Sequence, residues 1–208
     1  MTFFIAVAAI VVLALSVRAL LKTAGERALA KQPDVIHFVR LAGDSFRDAA
    51  GAERLAAPLR AKGFVPLGVY VLPPIDGLRI SVMLNQGARM AAFLHEHPKL
   101  SEISLELNVR YVDGTTTMLV NHASRGVPQP PFIRVIYADP ATDSGELFER
   151  LMRERTPFGI KSVDPRTVFT EYESAWTRIM LWQKQRGLSA AEVATIARLG
   201  SQENKPAP

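Results

Sequence analysis

The sequence predicts an α+β chain: an N-terminal transmembrane helix, then a single domain with a mainly antiparallel sheet of about six strands packed on a long C-terminal helix. Three observations carry this. Residues 2–17 contain no charged side chain, residues 64–120 alternate apolar with polar positions at a period of two, and apolar residues between 168 and 180 recur at helical spacing.

Crossing a bilayer takes about 20 helical residues, because each contributes a rise of about 1.5 Å. Phe3, Phe4, Ile5, Ile10, Val11, Val12, Leu13 and Leu15 form the apolar body of the span, and Ala19-Leu20-Leu21 extend it past Arg18 to Lys22. The guanidinium of Arg18 can reach the headgroups along the helix. A cleaved signal peptide would want a basic residue before Phe3 and a small-residue cleavage site soon after the apolar run; a buried core helix would want a polar stripe. Neither pattern is present. Arg18, Lys22, Arg27 and Lys31 follow the span, so the positive-inside rule places the N-terminus outside and the domain in the cytoplasm of a single-pass membrane protein. The alternative orientation puts the domain outside the cytoplasm. Residues 1–31 are thus read as anchor and juxtamembrane helix, 32–200 as one globular domain, and 201–208 as a polar, disordered tail.

The chain has 208 residues and a formal net charge of +5. Residues 1–31 hold four basic side chains against Glu26, a net +3, which leaves +2 for the domain. The basicity therefore suits orientation and anionic lipid rather than a phosphate backbone, and no nucleic-acid partner is expected. The absence of cysteine excludes disulfides, thiolate nucleophiles and Cys-ligated zinc.

Within the domain, Asp34 to Leu41 reads as a short strand, and Asp44 or Ser45 as the cap of a helix ending at Gly63. Val65, Leu67, Val69 and Val71 form a strand, Pro73 to Gly77 a turn, and Leu78, Ile80, Val82 and Leu84 a second strand; Ala88 to His95 is a third. Ile103, Leu105, Leu107, Val109 and Tyr111 alternate with polar residues up to Asp113-Gly114. A two-residue turn there pairs Tyr111 with Thr116, Val109 with Met118 and Leu107 with Val120, and sets His122 opposite Leu105 on the apolar face. Phe132 to Tyr137 is the last strand. Asp143 with Glu146 starts one helix, and Asp164-Pro165 and Gly187 mark the ends of a longer one, with Val168, Phe169, Tyr172, Ala175, Trp176, Ile179 and Met180 on its inner stripe. Ser189 and Glu192 form a capping box for a short final helix. The element order over residues 34–187 resembles that of helix-grip domains, and the resemblance implies a curved sheet around the long helix enclosing a lipid-like ligand. A sheet covered by helices on one face fits the pattern as well.

No residue pattern declares a reaction. His95-Glu96-His97 would put two imidazoles on one strand face, with His122 as a third ligand for a metal-dependent hydrolase; yet Pro98 ends the strand, and a surface turn is the plainer reading. His122 beside Ser124 lacks any nucleophile-elbow context, and no glycine spacing fits a nucleotide loop. No catalytic residue and no cofactor is therefore expected. Trp176 belongs to the helical stripe, while Leu181 and Trp182 extend apolar surface toward a partner or ligand. The expected role is a membrane-anchored, non-enzymatic binding or assembly module, in contact with the lipid bilayer and a protein partner; a carrier or sensor of a hydrophobic ligand is the alternative.

Overall fold

The computed structural model describes residues 19–43, 45–98, 102–122 and 128–195. Residues 19–30 are helical (α1), followed by β1 (Val39–Arg40), α2 (Ala49–Ala61), β2 (Val65–Leu72), β3 (Ile75–Asn85), β4 (Met90–Glu96), β5 (Ser104–Arg110), β6 (Thr116–Val120), β7 (Ile133–Tyr137), α3 (Ser144–Glu154) and α4 (Val168–Arg186). Residues 190–195 are again helical (α5). The strands form one seven-stranded sheet in sequence order, antiparallel throughout except that β7 runs parallel to β6. The fold is thus α+β with a mostly antiparallel sheet.

Phe3 to Leu15 and Arg18 lie outside the described residues, and the expected tail does too. Among the described residues no helix is long and apolar enough to cross a membrane. Lys22 sits on α1, 3.8 Å from Glu26. The buried Leu29 and Gly25 turn α1 toward the end of the chain, where a Cβ on Gly25 would run into Val193.

Helices cover both faces of the sheet, which departs from a sheet gripping one helix. On one face Leu55 and Leu59 of α2 and Leu147, Phe148 and Leu151 of α3 pack with Met90, Ala92, Leu94, Leu105, Leu107, Val109 and Leu119. On the other, Val168, Phe169, Tyr172 and Trp176 of α4 meet Tyr70, Ile80, Val82, Leu84 and Phe93. Period-two alternation makes this layering available, because each strand can feed one face with odd positions and the other with even ones.

Several local expectations shift for identifiable reasons. The Asp34–Leu41 segment forms only two residues of strand, because its backbone is tied to α4 instead: Phe38 N–H donates to Glu173 at 3.0 Å, and Trp176 Nε1 donates to the Pro33 carbonyl at 2.9 Å. Helix α2 starts at Ala49, capped by Asp48, since the Glu96 carboxylate takes the Arg47 and Asp48 N–H groups at 3.0 and 2.8 Å. Asp164 caps a turn rather than α4: the N–H groups of Thr167 and Val168 both donate to its carbonyl, and the helix begins at Val168. The Ser189–Glu192 capping box forms in both directions, at 2.7 and 3.3 Å.

The register of the β5–β6 hairpin is one residue away from the expected one. Val109 pairs with Thr117, Asn108 with Met118, Leu107 with Leu119 and Glu106 with Val120. Gly114 N–H closes a turn on the Tyr111 carbonyl, Gly114 has φ 83°, and Tyr111 N–H then reaches the Thr115 carbonyl. This is a three-residue loop with a glycine bulge, which places one more residue in the connection than a two-residue turn does. The slip moves Leu119 into the core beneath α2 and α3 and turns Met118, Val120 and His122 toward α4.

Because a left-handed residue with a Cβ costs about 1–2 kcal/mol, Gly114→Ala should lower unfolding stability by about 1 kcal/mol, and Gly114→Asn by less. Chemical denaturation checks this; an alanine variant as stable as the parent would contradict the loop assignment.

Candidate functional site

The site grows from β5. Its odd residues Leu105, Leu107 and Val109 are apolar and fully buried under α2 and α3, whereas Glu106, Asn108 and Arg110 face α4. Across the sheet on that face the pairing sets Phe93 beside Glu106 and His95 beside Ser104 on one side, and Val120, Met118 and Thr116 on the other. The α4 face is therefore apolar over β2 to β4, polar along β5, and apolar again over β6 and β7.

Between this polar stripe and α4 lies a cleft of roughly 250 Å³. Glu106, Asn108, Arg110 and His122 supply its polar wall; Met118, Val120, Ile133 and Val135 line the sheet side; Tyr172, Ala175, Trp176, Ile179 and Met180 close it from the helix. The helical stripe expected to pack on the sheet thus does so in its first half and roofs the cleft in its second.

Glu106 is held from two sides. Asn108 Nδ2 donates to its Oε1 at 2.6 Å, and His95 Nε2 stands 3.6 Å from Oε2, an ion-pair distance rather than a hydrogen bond. Burial works to raise the Glu106 carboxyl, but His95 and Asn108 outweigh it and keep it below the usual carboxylate range. Glu106 is therefore an anion at neutral pH. Its carboxylate accepts only, which fixes the Asn108 amide with Nδ2 toward Glu106. Asn108 Oδ1 is then left buried without a hydrogen-bond partner, in a residue 4% exposed. Such an acceptor costs about 1–3 kcal/mol when nothing donates to it. Arg110 is otherwise engaged: its Nη1 lies 3.3 Å from Glu171, which also takes Lys161 at 2.7 Å. Burial pulls Arg110 down, opposed by Glu171 and Glu106, and burial together with the Glu106 charge pushes Tyr172 well above its ordinary value, so its hydroxyl stays protonated.

The three histidines stand apart in the structure. His95 lies on β4 toward α4, His97 falls beyond the last strand residue Glu96, and His122 lines the far wall of the cleft instead of standing opposite Leu105. Among the described residues no group of three His, Asp or Glu side chains could hold an ion. Glu96, between the first two, points to the opposite face and serves α2. Ser104 is opposite His95 in the register, but no side-chain hydrogen bond joins them. Trp176 walls the cleft, whereas Leu181 is 48% exposed, and Trp182 carries the Arg186 guanidinium 5.2 Å from its ring centre.

The alternation of β5 gives Glu106, Asn108 and Arg110 only as the polar positions between apolar ones and points to no site there. The overlooked signal was the second apolar stripe: a long helix with Phe169, Tyr172 and Trp176 inward needs a sheet face, and α2 with α3 already claim the other one.

No protein-family profile, curated protein or solved structure matches the chain.

The Glu106 shift has a definite sign. Its folded value lies below its unfolded value, so its contribution to stability is complete above the unfolded pKa and is lost as pH falls through the folded one. Between about pH 7 and about pH 3 the melting temperature of the parent should therefore fall more than that of Glu106→Gln. Parallel melting curves for the two proteins would show that Glu106 is not held in its charged form.

Proposed function

We propose that the protein is a membrane-tethered binding module whose site is the cleft between α4 and β5–β7, occupied by a small amphipathic ligand. The observation that carries this is the buried, unpartnered Asn108 Oδ1 in the wall of a cleft that is otherwise largely apolar. Polar groups sealed from water are normally satisfied, and a ligand donor would satisfy this one. Drug-sized pockets start near about 300 Å³, so a cleft of roughly 250 Å³ suits a fragment-sized molecule rather than a whole lipid. A few fixed polar groups beside an apolar wall are what orient a ligand of mixed character.

The tether is the apolar stretch from Met1 to Leu21, with the basic residues after it keeping the domain cytoplasmic. Holding a binding module at the bilayer raises its local concentration near membrane-borne ligands and partners. The anchor supports this reading through its length and flanking charge, and α1 would lead directly from it.

Two measurements test the proposal. Hexanol titrated onto the full chain carrying Trp182→Phe should change the emission of Trp176, and filling the cleft with Ala175→Phe or Val135→Phe should abolish the response while the protein still melts cooperatively. Unaltered emission in the unfilled protein would end the ligand reading. For the tether, the full chain expressed in bacteria should stay with membranes after a high-salt wash, and a periplasm-dependent reporter at its C-terminus should be inactive. Release by salt would overturn the anchor, and reporter activity would reverse the orientation.

A further inference from the structure

Resting on the reading of the cleft as a ligand site, we infer that it takes a small primary amine in its ammonium form, with the charged head on Glu106 and Asn108 Oδ1 and the carbon chain against Trp176, Ile179 and Met180. Two acceptors that the fold leaves underused sit side by side. Glu106 is a buried carboxylate that receives a hydrogen bond from Asn108, has His95 at 3.6 Å and feels the charges of His122 and Arg110; Asn108 Oδ1 receives no hydrogen bond. An ionised carboxylate offers about four lone-pair sites, so Glu106 keeps room for further donors.

A primary ammonium matches this pair better than other heads. It carries three donors and no acceptor, so one group can serve both oxygens, and its charge is opposite to that of the Glu106 carboxylate. A hydroxyl has a single donor and no charge. A carboxylate would face Glu106 at close range, and the guanidinium that might have attracted it, Arg110, already has Glu171 at 3.3 Å and the Glu106 charge acting on it. The aromatic rings of Tyr172 and Trp176 line the same cleft, and aromatic faces attract cations.

The test is a matched series on the full chain at about pH 8, where alkylamines remain protonated. Hexylammonium, hexanol, hexanoate and hexyltrimethylammonium share one chain and differ only in the head. Hexylammonium should bind at least about tenfold more tightly than hexanol, hexanoate should bind weakest, and Glu106→Gln should bring hexylammonium and hexanol to within about twofold of each other. Hexyltrimethylammonium has the charge but no donors, so it should bind more weakly than hexylammonium; this comparison needs no variant to fold. Equal binding of hexylammonium and hexanol, or tightest binding of hexanoate, would overturn the ammonium assignment and leave the cleft as a ligand site. Failure of every compound to bind would remove both.

Discussion

The rest of the α4 face depends on one constraint: the middle of a buried sheet surface is polar. Glu106, Asn108 and Arg110 alternate with core residues on β5, so the pleat must present them to whatever covers that side. Burying such groups unpaired would be costly, and the fold answers with partners. Glu171 reaches from α4 to Arg110 and Lys161, and Asn108 and His95 attend Glu106. Because these side chains and the apolar residues of β6 and β7 stand beneath α4, the helix closes over β2 to β4 through Phe169 and Tyr172 but leaves a cleft over β5 to β7.

What fills the two sides of that cleft is decided at the turn between β5 and β6. With Gly114 at φ 83° and one extra residue in the loop, Thr117 and Leu119 join the α2–α3 side while Met118, Val120 and His122 line the cleft. A two-residue turn would exchange these sets, placing Leu119 in the cleft and His122 in the apolar core. A single backbone conformation thus determines which side chains of the strand that follows it face the cleft.

The segment leading from α1 to the sheet is bound to the same helix that roofs the cleft. Lys184 bonds the Gln32 carbonyl and Asp34, Trp176 bonds the Pro33 carbonyl, and Glu173 takes the Phe38 N–H. Ile36 is fully buried in the same layer, and Phe38 meets Tyr70, Phe169 and Tyr172 edge to ring. Trp176 belongs to both systems, with its indole N–H on the connector and its ring in the cleft wall.

The sequence by itself determined what local chemistry dictates. The strands of the sheet from Val65 to Val120, the α4 stripe from Val168 to Met180, the Asp143 cap and the Ser189–Glu192 box follow from side-chain periodicity and from caps satisfied within a few residues, and they stand close to where those patterns put them. Tertiary structure alone decided the α2 start, because Glu96 from a distant strand takes the Arg47 and Asp48 N–H groups just ahead of it, and the shortness of β1, because Glu173 of α4 takes the Phe38 N–H beside it. It also decided that both sides of β5 are covered: alternation shows that two faces differ, but says nothing of whether a helix or water lies over the polar one. The candidate site was illegible for that reason. Glu106 and Asn108 became a buried anion and an unpartnered acceptor only when α4 covered them.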